Sequence, residues 1–338
     1  MFKKIFNYIK EFVVEEYKFL ICMLIFYIVC TFPVNYYIVT GGGISDVGER
    51  IVVSDASDSK GSFNLSYVSE LKGTVLTYGL SFLISDWERD SMSDYKYSEE
   101  ESYEDIEFRS DLDLESTNGI ATKVAYDLAG KKVEEISSKI YVIALFDEFE
   151  TEFKIRDELL SVDGKVFETI DEYSNYVQSF EVGKKIEIKV LRDGKEKTIK
   201  CKLHEENGRK IFGVALQISK KYETDPKIEI KFKASEGGPS GGLMTTLEIY
   251  DKLVEEDITK GFTIAGTGTI DENGNVGEIG GVKYKVMGAV DGGADIFLVP
   301  AGENYKEAVK VKKDKDLKIK IIEVKTVEDA IEKLSKLK

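Results

Sequence analysis

Histidine is almost missing from this chain: His204 is the only one in 338 residues. A His-based catalytic triad therefore has one candidate, and a His-rich metal site has none. Cysteine is nearly as scarce. Cys22 and Cys30 lie in an apolar segment and leave Cys201 alone in the remainder, which excludes a disulfide framework and a cysteine metal cluster there. Positive charge is in deficit, with 47 Lys and Arg against 62 Asp and Glu and a formal net charge of −15. Such a balance carries no basic footprint and argues against a nucleic-acid partner. The chain also lacks any G-x-x-x-x-G-K-[ST] run, so it has no P-loop to bind ATP and drive an unfolding motor. Nothing in it asks for a cofactor.

What is present is a chain long enough for two domains plus extras, with a 42% hydrophobic fraction that supports packed cores. Near its start, Phe19 to Val34 reads FLICMLIFYIVCTFPV, and no charged residue occurs from Phe19 through Val39. That run reaches the roughly 20 residues a bilayer-spanning helix needs. Lys3, Lys4, Lys10 and Lys18 precede it, and the positive-inside rule then places the N-terminus in the cytoplasm. The run is long for the apolar part of a signal peptide, and no clean small-x-small site follows it, so an uncleaved anchor is expected. Everything after about Thr40 would lie outside the membrane.

Beyond the anchor, Ile51-Val52-Val53 and Thr74-Val75-Leu76-Thr77-Tyr78 read as strands. An acidic tract from Asp86 to Glu115 reads as a solvated helix or loop face rather than a docking surface. Ile120, Val124, Ala125 and Leu128 predict a helix that stops at Gly130. Next come a strand at Ile140–Leu145, a strand Leu159–Val162 ending in an Asp163-Gly164 turn, and a helix from Thr169 to Phe180 opened by a Thr169/Glu172 capping box. Alternating strands Ile186–Val190 and Thr198–Leu203 close this part. In this order the DELLSVDGK run, the capped helix and the LRDGKEKT hairpin resemble the PDZ-domain family in its circularly permuted bacterial form. Arg156 stands where that family usually has glycine. The resemblance implies a groove that takes a peptide as an added strand; the acidic run Phe146-Asp147-Glu148-Phe149 puts capture of a terminal carboxylate in question.

The stretch with most chemical content is Glu236-Gly237-Gly238-Pro239-Ser240-Gly241-Gly242. It falls between the alternating run Ile228–Lys233 and an apolar helical run carrying Leu243, Leu247, Ile249, Tyr250 and Leu253. One serine in a glycine-rich turn at a helix start has free backbone N–H groups around it. With His204 far off in the sequence, a lysine is the available base for that serine. A lysine can serve near neutral pH only if its ordinary pKa of about 10.4 falls by roughly three units, or about 4 kcal/mol. Lys285, among Val282, Val286 and Met287, has apolar company that favours this. Lys283 is the rival, expected to point outward.

The set GGPSGG, then IAGTGTIDENGNVGEIGGVKYKVMGA, then GADIFLVPAGEN resembles the proteolytic domain of Lon-type proteases. With the apolar start and the PDZ-like part, the chain is similar to membrane-anchored Lon-like PDZ serine proteases. That resemblance implies a Ser–Lys dyad with Ser240 as nucleophile, Lys285 as base and Thr267 supporting the lysine. Gly237, Gly238 and Ser240 are the expected backbone oxyanion donors. Gly241 and Glu278 depart from the family, which has Ala and Pro at those places. The expected fold class is α+β and multidomain. The divisions are a cytoplasmic N-terminus and transmembrane helix (1–40), a β-rich extracytoplasmic region with the acidic tract (41–118), a PDZ-like domain (119–206) and a Lon-type α/β proteolytic domain (207–338). The expected function is an ATP-independent, membrane-anchored serine endopeptidase acting on extracytoplasmic peptides or secreted and membrane proteins. The alternative is a catalytically inactive, membrane-tethered PDZ scaffold. Expected partners are substrate peptides or proteins and the membrane, with no nucleic acid and no ATP; the resemblance also implies a homo-oligomer.

Overall fold

A computed structural model describes residues 2–337 except 55, 58, 99–100 and 234–235. Two acidic residues of the Asp86–Glu115 tract, Glu99 and Glu100, thus lie outside the described residues. The chain divides into two compact units, one of residues 1–41 and 68–95 and one of residues 42–67 and 96–338.

The first unit begins with helices Phe2–Glu15 and Tyr17–Thr31. The apolar run does not form the continuous spanning helix expected from it. Its helix stops at Thr31 after 15 residues, about 22 Å at 1.5 Å per residue, and a strand, Pro33–Asp46, takes over. Pro33 is the cause: it disfavours helical backbone at the preceding residue, and Phe32 is extended at φ −66°, ψ 119°. Among the described residues no helix is long and apolar enough to cross a membrane. Tyr36–Val39 pairs antiparallel with Ser91–Glu88. The second expected strand, Thr74–Tyr78, is also corrected. Thr74 accepts from the Thr77 N–H while the Thr77 hydroxyl accepts from the Thr74 N–H, and this reciprocal cap starts a helix, Val75–Leu80, that overrides the β-branched composition.

The two largest sheets with strands in the second unit differ in character. The first is a five-stranded antiparallel sheet in which strand Val214–Asp225 is an edge, followed in order by Lys132–Leu145, Glu158–Val162, Lys185–Arg192 and Lys195–Lys202. Helix Ile170–Val177, capped by Thr169, closes its core over Val142, Val162, Tyr173, Ile188 and Phe212. Arg156 adopts φ 77° where the related family has glycine. Its N–H bonds the Val142 carbonyl at 2.9 Å and its Nε bonds Asp105 at 3.0 Å. In another sheet four strands run parallel: Lys320–Val324, Ile296–Pro300, Thr263–Gly266 and the 62–65 stretch of strand Ser62–Thr74 lie side by side. Ile51–Val53 pairs with Ile230–Ile228 nearby. So a segment far upstream of the serine supplies strands beside it.

One helix joins these parts. Ser102 caps it, and it runs over 26 residues, Tyr103–Leu128, instead of starting near Ile120. The acidic tract hid its first half, since alternating charge there masks the apolar period that Leu112, Ala121, Val124 and Ala125 bury. It crosses residue 118, where a domain division was expected.

Candidate active site

The glycine-rich turn is held from five directions. Arg50 pins Glu236 (2.5 Å), and the Gly238 N–H donates to the Ser110 carbonyl (2.9 Å). Ser240 offers its own carbonyl to two donors, the Gly268 N–H at 2.8 Å and the Thr267 hydroxyl at 3.1 Å. Leu65 lies under Gly241, and Thr117 and Ile270 lie against Gly242, where helix Gly242–Leu253 begins. Gly238 sits at φ 79°, left-handed backbone that glycine adopts without a Cβ penalty. In return, the Leu243 N–H bonds the Gly268 carbonyl (3.0 Å), so the serine turn and the Gly266-Thr267-Gly268 segment grip each other in both directions.

Lys285 comes from helix Val282–Asp291, which starts after Gly281, and its side chain is only 4% exposed. Lys285 Nζ donates to Thr267 Oγ1 at 3.1 Å, and Thr267 is fully buried. The three residues singled out in the sequence are thereby brought onto one line: amine, threonine hydroxyl, serine carbonyl. Lys283, the rival, is half-buried with its Nζ 4.7 Å from the Tyr284 ring centroid. Of the expected oxyanion donors, Gly238 has its N–H engaged by Ser110.

Of the two departures from the family pattern, Gly241 has ordinary backbone (φ −90°), and a Cβ there would stand 3.1 Å from Leu65 Cδ1. Glu278 is exposed, with its carboxylate beside Gly302 at the start of helix Glu303–Asp314, where the helix dipole favours a negative charge. Sequence reasoning missed several supports of the site, Arg50 and Thr117 above and three more. Asn304 clamps Ile279, two residues before the lysine helix's Gly281 cap, with its Oδ1 accepting from the Ile279 N–H (2.8 Å) and its Nδ2 donating to the Ile279 carbonyl (3.0 Å). Ser110 and Leu65 are the others; neither lies in a motif, and their roles are visible only through tertiary contact.

A second cleft lies between the edge strand Val214–Asp225 and helix Ile170–Val177. It encloses about 160 Å³ and is lined by Ile170, Tyr173, Phe212, Val214 and Leu216, among others. Lys210 closes one end: its Nζ bonds the Gln178 and Phe180 carbonyls (2.7 and 2.5 Å), and Gln178 bonds both its N–H and its C=O at 2.9 Å. An unpaired strand edge beside an apolar trough is the geometry for adding a peptide strand.

Residues 216–336 match the family model of the Lon protease (S16) C-terminal proteolytic domain, and residues 126–203 match that of the PDZ domain. The Lon protease of Neorickettsia sennetsu is 37% identical over 97 residues, covering 29% of this chain and 11% of that protein. The Lon protease of Malacoplasma penetrans is 36% identical over 126 residues, covering 34% and 16%. The chain thus spans a small part of the length of these relatives. Among solved structures, the PDZ domain of the SdrC-like protein from Listeria monocytogenes is 22% identical, covers 25% of this chain and 92% of that chain, and has a TM-score of 0.23. Within its α+β fold, then, the chain carries a part that matches the PDZ domain followed by a part that matches the Lon C-terminal proteolytic domain.

Proposed function

We propose that the chain is an ATP-independent serine endopeptidase with Ser240 as nucleophile and Lys285 as general base. Its substrates in this reading are flexible peptides or exposed protein segments presented by the PDZ groove. The observation that carries the reading is the line from Lys285 Nζ through Thr267 Oγ1 to the Ser240 carbonyl. A threonine hydroxyl has one proton, and here it goes to the Ser240 carbonyl, so lone pairs face the amine. The amine donates one N–H to that oxygen, and in its neutral form keeps its own lone pair for the serine hydroxyl proton. Burial disfavours an ammonium, which suits a lysine acting as base. The Gly237 and Ser240 N–H groups are the proposed oxyanion donors, joined by Gly238 when it leaves Ser110.

Ser240→Ala and Lys285→Ala should each reduce cleavage of an unstructured protein such as casein by at least about a thousandfold while melting like the parent. Full residual activity in either variant sinks the dyad. The engaged Gly238 N–H favours a second reading, an inert PDZ scaffold. A fluorophosphonate probe separates the two, since a stoichiometric adduct on Ser240 excludes an inert site.

Membrane attachment belongs to this proposal too. Phe19, Ile21, Leu24, Ile25 and Phe26 of helix Tyr17–Thr31 are all more than half or nearly half exposed, a patch that calls for a lipid environment. We place the chain at the cell membrane, N-terminus cytoplasmic and the PDZ and protease parts outside. Lys3, Lys4, Lys10 and Lys18, which precede the apolar helix, set that orientation in this reading. Replacing Leu24 and Ile25 by Glu should release the protein from the membrane fraction; unchanged sedimentation with membranes refutes attachment through this segment.

A further inference from the structure

The helix Tyr103–Leu128 touches both the groove strand and the serine turn, through neighbouring turns of one face. Ser110 lends its carbonyl to the Gly238 N–H. A mid-helix carbonyl already serves the helix, and its second lone pair makes this extra bond possible. Ser110 Oγ also fills the space beside Gly237 that any side chain there would need. Three residues on, Asp113 Oδ1 accepts from Gln217 Nε2 at 2.9 Å, and a turn later Ser116 Oγ donates to the Ile218 carbonyl at 3.0 Å. Gly119 lets the Lys220 carbonyl approach to 2.7 Å from where a Cβ would stand. On the same strand, Val214 and Leu216 line the peptide groove. Adjacent strand residues face opposite ways, so Leu216 meets the groove while Gln217 meets the helix. A register irregularity falls between Ala215 and Leu216, beside this grip on the strand.

We propose that helix Tyr103–Leu128 is a positioning element that couples the groove strand to the serine turn, with Asp113–Gln217 as its grip on the strand and Ser110–Gly238 as its grip on the oxyanion loop. Gly238 has two uses for one N–H: the Ser110 carbonyl, or the oxyanion. The position of the helix decides between them. A peptide strand added at the groove edge bears on that position through Gln217. This inference rests on the serine-peptidase reading for its catalytic consequence, but the coupling itself does not.

The test uses the full chain with Gln217→Ala, Asp113→Ala and Asp113→Asn, none of which touches the dyad or lines the groove. Two quantities are read: kcat and KM on casein, and hydrogen exchange at the Gly238 amide. Both Ala variants should change kcat by about fivefold to thirtyfold with KM held, and should exchange the Gly238 amide at least about fivefold faster. Asp113→Asn keeps an oxygen acceptor for Gln217 and should match the parent in both. A purely structural role would lower the melting temperature and leave kcat and local exchange alone. Unchanged exchange and unchanged kcat in both Ala variants overturn the proposal, as does failure of Asp113→Asn to restore them. If even the parent does not cleave casein, the peptidase reading has failed while the exchange result still decides the coupling.

Discussion

Thr267 shows how much one hydroxyl organises. Its single proton is committed to the Ser240 carbonyl and its oxygen receives the Lys285 amine, so it ties the serine turn to the lysine helix. Thr267→Val keeps the shape and removes both bonds. A lost buried hydrogen bond to an amine is worth about 1.5–3 kcal/mol, so kcat should fall about tenfold to a hundredfold with KM nearly constant. A loss confined to KM would show that Thr267 serves substrate binding instead. Gly241 invites the opposite experiment. Its backbone suits any residue, and only the tip of Leu65 must give way by a few tenths of an ångström for Ala. Gly241→Ala should therefore change stability by no more than about 1 kcal/mol and preserve labelling of Ser240. A large loss of either would mean that glycine is required for the turn. The glycine-rich turn around Ser240 and the helix of Lys285 were legible in sequence as local patterns, and Thr267 came only from the resemblance; the structure brings the three together. The roles of Ser110, Leu65 and Asn304 were not legible, because each acts on a residue remote in sequence, even Asn304, which ends the GADIFLVPAGEN run.

At the scale of elements, legibility followed caps and turns. The Thr169 cap, the Asp163-Gly164 and Asp193-Gly194 turns at positive φ, and the Gly292-Gly293 stop all stand where local chemistry puts them. Apolar runs misled. Residues 19–39 look uniform in hydropathy, yet Pro33 divides them between helix and strand; Thr74–Tyr78 looks extended, yet a cap makes it helical. The hairpin of Thr269–Ile270 and Val276–Gly277 depends on its turn in a way pH can expose. Slight burial pushes the Asp271 carboxyl up, but hydrogen bonds from the Asn275 side chain and from the Asn275 and Asn273 N–H groups outweigh it and carry the pKa below its ordinary value. A depressed carboxyl stabilises the fold above its unfolded pKa, about 3.9, and that stability is lost as pH falls through the lower folded value. Asp271→Asn should therefore melt below the parent from pH 7 to 5, with the gap closing under about pH 4. A gap that stays constant with pH would assign the loss to packing rather than to charge.

Across the whole molecule, the protease part is discontinuous. Strand Thr263–Gly266 lies between Ile296–Pro300 and the 62–65 stretch, and Ile228–Ile230 takes Ile51–Val53 as its partner. The match to the Lon proteolytic domain starts only at residue 216, so it omits these upstream strands, along with Arg50, Leu65 and Ser110. A fragment of residues 216–338 should then show no cooperative melting transition by circular dichroism. A sharp transition in that fragment would show the upstream strands to be dispensable. Hydropathy along the chain cannot reveal this arrangement, because strand 62–65 reads the same whichever partner it finds.

That arrangement also sets an order in time. A ribosome adding about 5–20 residues per second reaches Thr263 some 10–40 s after finishing the strand at 62–65. In between it completes all five strands of the antiparallel sheet and the helix that covers it. The PDZ part is thus able to form while the serine turn still lacks the strand and the lysine helix that shape it. The strand at 62–65 waits for Thr263–Gly266, and the serine turn is not complete on a half-made chain.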